Sequence, residues 1–229
     1  MGMAILMTTS PRVPVLSAGD KLTRDEFERR YAAMPDLKKA ELIEGVVYMG
    51  SPVRYEQHGR PERVLAIWLA FYEEVTPGLG GAGNCTVRLD LDNVPQPDLL
   101  LLLPASAGGR SRIAADGYLE GPPELVLEVA ASSVSYDLHQ KLAVYRRNGV
   151  LEYLVHRVDD GKVDWFLLEG GTYVRQQPDA SGILKSRQFP GLWLDVVALL
   201  RQDLPALRAM VERGIVDPAH ATLVARLRR

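Results

Sequence analysis

A chain of 229 residues has room for one large domain, or one domain with an appendage, but not for two full domains. Hydrophobic residues at 47% and charged residues at 24% exclude a disordered chain, and a net charge of −2 removes any global pull toward phosphate backbones, so nucleic-acid binding would have to rest on local patches. The single cysteine, Cys85, excludes an internal disulfide and a cysteine-rich zinc site.

Residues 1–20, with Pro11, Pro14 and Gly19 and little periodicity, read as an extended arm. The opening MGMAILMTTSPR has no basic segment ahead of its apolar run, and no stretch approaches the roughly 18 apolar residues of a membrane span. A cytoplasmic protein without membrane contact is expected. Thr23 followed by Glu26 is a capping-box pattern that opens a short helix ending near Pro35. AELIEGVVYMG alternates around Glu44-Gly45 and predicts a hairpin. From Pro61, the residues Val64, Leu65, Trp68, Leu69 and Tyr72 fall on one helical face, which makes Trp68 a core residue. The glycine-rich TPGLGGAG closes this helix and leads into strand-like CTVRLDL.

Two short apolar runs, Leu99 to Leu103 and Leu125 to Val129, suit central strands covered on both faces. DLHQKLAVYRRNG follows as a helix ending at a glycine, with Tyr145 on its core side. LEYLVH, KVDWFLL and TYVRQQ are strand candidates, the last two joined across EGG. From about Leu192 the pattern is two or three amphipathic helices broken at Pro205 and Pro218. Basic patches are expected at His139, Lys141, Arg146 and Arg147, and in the tail at Arg226, Arg228 and Arg229; a solvated helix face is the plain alternative for the tail.

Two acidic residues stand out. Asp98 opens one apolar strand, in QPDLLLL, and Glu128 lies within another, in ELVLEV. A carboxylate moved from water into a core costs several kcal/mol unless it is paired or ligates a cation. Two carboxylates projecting from neighbouring strands make a hard-oxygen site suited to Mg²⁺ or Mn²⁺, which can polarise a phosphate and acidify a bound water. A nearby lysine then orients that water or stabilises the developing charge. Ser132, Ser133 and Ser135 suggest a hydroxyl-rich loop and not a nucleophile, since no Gly-x-Ser-x-Gly elbow is present.

At this point the sequence resembles the Uma2 family (domain of unknown function 820), described as restriction endonucleases of the PD-(D/E)XK superfamily. The matching pieces are ELIEG with SPVRYEQHG, then QPDLLLL, ELVLEVAASSVSYDLHQKLAVYRRNGVLEYLVH and FPGLWLDV, from about Leu22 to Leu200. The resemblance implies a restriction-endonuclease-like α/β fold, a mixed β-sheet flanked by helices, over residues 21–200, with 201–229 as a C-terminal helical extension. It implies a catalytic set of Asp98, Glu128 and Lys141, with Asp98 and Glu128 as metal ligands. Two residues beyond Glu128 stands Ala130 in place of the signature lysine, and Lys141 matches a lysine moved to the following helix. Glu44, Glu41 and His58 match supporting positions, with Glu44 slightly favoured over Glu41.

The implied function is Mg²⁺- or Mn²⁺-dependent endonuclease action on nucleic acid, with DNA the expected substrate. The alternatives are a non-catalytic nucleic-acid- or protein-binding module on the same fold, and a homodimeric accessory protein joined through Leu199, Leu200, Leu204 and Leu207.

Overall fold

The computed structural model describes residues 12–228, so the first part of the expected N-terminal arm and Arg229 lie outside the described residues. Within the rest of that arm, Leu16 packs with Phe27, Leu42 and Val94, and the Gly19 N–H donates to Val47 O at 2.8 Å. Helix α1 (Arg24–Ala32) starts at Thr23 without a side-chain cap. The expected reciprocal bond with Glu26 is not made, because the Glu26 carboxylate is taken by Arg29 at 2.7 Å and Arg30 at 2.6 Å.

Strands β1 (Ala40–Ile43) and β2 (Val46–Met49) pair antiparallel with Ile43 opposite Val46. Glu44 and Gly45 between them have φ of 52° and 73°, the left-handed pair that a two-residue hairpin loop requires. A π-helical turn (Tyr55–Gly59) runs into helix α2 (Arg60–Val75), whose buried face of Val64, Leu65, Trp68, Leu69 and Tyr72 follows the sequence period. The Trp68 indole N–H donates to Trp193 O at 3.0 Å, so Trp68 is both core and tie.

Strand β3 (Gly80–Gly83) lies in the stretch expected to be a loop, and of CTVRLDL only β4 (Val87–Arg88) is a strand. Then come β5 (Leu99–Leu102), β6 (Arg112–Ile113), β7 (Leu119–Glu120) and β8 (Leu125–Ala130). One helical run follows, made of α3 (Val134–Tyr136), a second π-helical turn (Asp137–Lys141) and α4 (Leu142–Arg147). It ends at Gly149, whose φ of 79° is the left-handed geometry expected there. Strands β9 (Glu152–Arg157), β10 (Lys162–Glu169) and β11 (Thr172–Arg175) match the three candidates.

The main sheet has the order β11-β10-β9-β8-β5-β3, with β8 and β9 parallel and every other pair antiparallel. It is therefore a mixed sheet flanked by helices, as the fold class expected. Its central strands are covered on both faces. Leu99, Leu101, Leu125, Leu127 and Val129 face one layer, with α2; Leu100, Val126 and Ala130 face the other, with Tyr145 and Tyr153. β4, β6 and β7 form a separate small sheet.

Near the C-terminus, β12 (Ile183–Lys185) and β13 (Trp193–Asp195) pair in a stretch partly expected to be helical. Helices α5 (Val196–Leu200), α6 (Leu204–Gly214) and α7 (Pro218–Leu227) follow. Pro205 and Pro218 sit in the first turns of α6 and α7, where a missing N–H costs nothing, and Asp203 and Asp217 cap those turns. The prolines open helices and do not break them.

Leu199 and Leu207 are fully buried in the same core as the sheet, and Leu204 packs against it. That leaves Leu200, 37% exposed, as the open member of the surface expected to join two copies. Of the expected basic patch, Lys141 is buried, whereas His139 is exposed, and Arg147 pairs with Glu44 at 2.8 Å and Arg146 donates to Gly171 O at 3.0 Å at the surface. No helix among the described residues is long and apolar enough to cross a membrane.

Candidate active site

The register of β5 and β8 sets Leu99 opposite Leu127 and Leu100 opposite Val126. Continued by one residue, it sets Asp98 opposite Glu128. Side chains alternate along a strand, so Glu128 shares a face with Val126 and Ala130, and Asp98 shares the same face with Leu100. The helical run after β8 packs on that face, with Lys141 and Tyr145 reaching back to the strand. A lysine at position 130 would point to the same side as Glu128; Ala130 stands there instead, and the ammonium comes from the helix.

Every member of the cluster is buried. Asp98, Glu128, Lys141 and Asp137 are 2–3% exposed and Glu41 is 6% exposed. Lys141 Nζ lies 2.7 Å from Glu128 Oε1, 2.9 Å from Glu41 Oε1 and 3.9 Å from Asp137 Oδ1, with the Tyr136 ring 5.4 Å away. Burial opposes the charge on Lys141, but Glu128, Glu41 and Asp137 outweigh it and hold the ammonium charged. Burial pushes Glu128 up from the usual carboxylate range; Lys141 pulls against this, and Asp98, Asp137 and Glu41 add to it. The Tyr145 hydroxyl donates to Glu128 Oε1 at 2.9 Å, so the expected core tyrosine also touches the site.

Asp98 is held differently. Its Oδ2 accepts the Val129 N–H at 2.8 Å, while Oδ1 faces Lys39 Nζ at 2.9 Å and His58 Nε2 at 3.5 Å. Burial would raise this carboxyl, but the His58 hydrogen bond and the charges of Lys39, His58 and Lys141 bring it well below the usual range. Both carboxylates are thus compensated by protein groups. Their burial by itself does not demand an ion, which corrects the inference drawn from unpaired charges in apolar strands.

Glu41, from β1, belongs to the cluster: its Oε1 also accepts the Gln96 N–H at 2.7 Å. Glu44 does not. It sits in the hairpin turn, exposed and paired with Arg147, because a two-residue loop leaves it no place on the inward face of the strand. His58, in the first π-helical turn, lies between Asp98 and Glu62, each 3.5 Å away. Ser133 donates to Asp137 Oδ2 at 2.6 Å, which gives the hydroxyl-rich loop a definite task.

Neither Lys39 nor Asp137 is given a site role by the sequence, although Asp137 opens the Asp-x-x-x-Lys pattern of the family piece. Asp137 and Lys141 stand at i and i+4, a spacing that brings side chains together on a helix, and this was a usable signal. Lys39 carried none, since Lys38 beside it is the same residue type.

Among the described residues no three His, Cys, Asp or Glu side chains converge into a ready-made metal cage. The donor set nonetheless suits a hard divalent cation, because Mg²⁺ keeps several waters and binds through one or two carboxylates together with substrate phosphate. Asp98 and Glu128, opposite each other by the strand register, are the residues that could hold one.

The fold has counterparts among known proteins. The family model Uma2, "Putative restriction endonuclease", matches residues 24–197. Among solved structures, a crystal structure described as a putative nuclease belonging to DUF820, from Anabaena variabilis, superposes with a TM-score of 0.58 at 14% identity, covering 79% of this chain and 98% of that one. At that identity the likeness speaks for the fold. No curated protein matches the chain. With the family model spanning β1 to β13 and every residue of the cluster, this chain belongs to the Uma2 family.

Proposed function

We propose that this chain is a divalent-ion-dependent endonuclease that hydrolyses nucleic-acid phosphodiester bonds, with DNA as its substrate. One observation carries the reading. Asp98, one residue before β5, and Glu128, on the neighbouring β8, face the same side when the register is continued by one residue, and the buried ammonium of Lys141 is bonded to Glu128. The family description points to the same chemistry.

In this reading Asp98 and Glu128 would hold the ion, which when bound would polarise the scissile phosphate and lower the pKa of a water. Lys141 stabilises the charge that builds on the attacked phosphate. Glu41 and Asp137 keep Lys141 charged, and Tyr145 fixes the orientation of Glu128. His58, carrying a positive charge, adds a second cation beside Asp98.

A second reading is favoured by one feature. The three protons of Lys141 already face three carboxylates and the residue is 2% exposed, as in a purely structural ion-pair cluster. On that reading the chain is a binding module without turnover. A nuclease assay on single- and double-stranded DNA and RNA, with Mg²⁺, Mn²⁺ and EDTA in parallel, separates the two. The proposal expects ion-dependent cleavage of DNA; no cleavage of any substrate with either ion supports the binding module.

A further inference from the structure

The two carboxylate oxygens of Asp98 are held differently. Oδ2 accepts the Val129 N–H inside the sheet, and Oδ1 is the oxygen turned toward the cationic groups of the site. That oxygen is the one Lys39 holds at 2.9 Å, with His58 at 3.5 Å on its other flank. The two cationic groups differ in their ties. His58 has a second partner in Glu62 and is carried by a helical turn. Lys39 precedes β1, has a long flexible stem, leaves 29% of its side chain exposed, and among the described residues makes its ion pair with Asp98 alone.

An ammonium and a divalent cation within bonding range of one oxygen repel each other strongly in a site removed from bulk water. We infer that Lys39 is a placeholder: its ammonium fills the cation position on Asp98 Oδ1 in the ion-free protein and leaves that oxygen when the ion binds. The inference rests on the proposed metal-dependent reading and adds to it a residue that sets ion affinity. Lys39 is thus a positioning residue. It holds Asp98 Oδ1 in place before the ion arrives, and it weakens ion binding by competing with it.

The test is calorimetric titration of Mn²⁺ into the full chain as wild type, Lys39→Met, Lys39→Gln and Asp98→Ala, without nucleic acid. Lys39→Met retains the stem and removes the charge. Lys39→Gln keeps a neutral donor for Asp98, so it covers the case in which Lys39→Met folds poorly. Both Lys39 variants are expected to bind Mn²⁺ about tenfold tighter or more, and Asp98→Ala to lose the site. If Lys39→Met and Lys39→Gln bind no tighter than wild type while Asp98→Ala still abolishes binding, the placeholder role is overturned and the metal site stands. If wild type and both Lys39 variants bind no Mn²⁺, the metal-dependent reading fails and the placeholder role fails with it.

Discussion

Lys141 is the residue on which the charge balance of the site turns. Replacing it with methionine removes the ammonium from between Glu128 and Glu41 and leaves buried carboxylates without a counter-charge. Breaking a buried pair in this way costs about 3–5 kcal/mol. The loss should appear in urea unfolding of Lys141→Met in EDTA; wild-type stability in the variant would mean the carboxylates are neutral in the folded protein. Two histidines give stability a pH dependence of opposite sign. Hydrogen bonds to Asp98 and Glu62 raise His58 to about 10 despite its burial, so its contribution is complete below the unfolded value of 6.5 and is lost as pH rises through about 10. Burial lowers His156 to about 4, and its Nδ1 has no hydrogen-bond partner among the described residues. Its contribution is complete above 6.5 and is lost as pH falls toward 4. Thermal melts in EDTA should therefore flatten on the alkaline limb in His58→Gln and on the acid limb in His156→Leu. An alkaline limb unchanged in His58→Gln would rule out a charged His58 beside Asp98.

At the scale of elements, both π-helical turns carry site residues, His58 in the first and Asp137 and Lys141 in the second. In the second, the Leu142 N–H bonds Asp137 O five residues back, and the extra residue lets Asp137 lie beneath the Tyr153 hydroxyl while Lys141 and Tyr145 both meet Glu128. Deleting the exposed His139 removes the residue that the π turn accommodates and leaves Lys141 three residues from Asp137 in place of four. Such a deletion should destabilise the protein about as much as Lys141→Met, whereas His139→Ala should leave melting unchanged. A deletion variant that melts like wild type would show that the π geometry is dispensable. Elements with a strong local signal were legible in the sequence: the Glu44-Gly45 hairpin, the apolar stripe of α2, the unbroken runs of β5 and β8, and the glycine closing α4. The others are set by partners distant in sequence. Gly80–Gly83 has no intrinsic strand preference and is a strand because β5 lies beside it; β12 and β13 are three-residue strands fixed by each other; a π turn leaves no mark on composition.

For the molecule as a whole, the site is a place where residues 39, 41, 58, 98, 128, 137 and 141 meet, and its legibility followed how much each stood out locally. Asp98 and Glu128 are charges at the end of and within apolar runs, and the family pattern supplied Lys141. The choice between Glu41 and Glu44 needed the hairpin register, which gives Glu44 to the turn and leaves Glu41 facing Lys141. Lys39 needed the tertiary structure altogether. The near-neutral chain, net −2, places no demand that the surface be basic, and on the proposed reading substrate recognition centres on the ion site. The central claim is that Asp98 and Glu128 form an ion-dependent hydrolytic centre. The most direct measurement is the single-turnover rate of DNA cleavage by Asp98→Asn against wild type at saturating Mn²⁺, since the substitution keeps the shape of the side chain and removes its charge. The expected rate is at least about a hundredfold lower in the variant, with wild-type activity abolished by EDTA. Cleavage by Asp98→Asn at the wild-type rate, or wild-type cleavage that persists in EDTA, would contradict the claim.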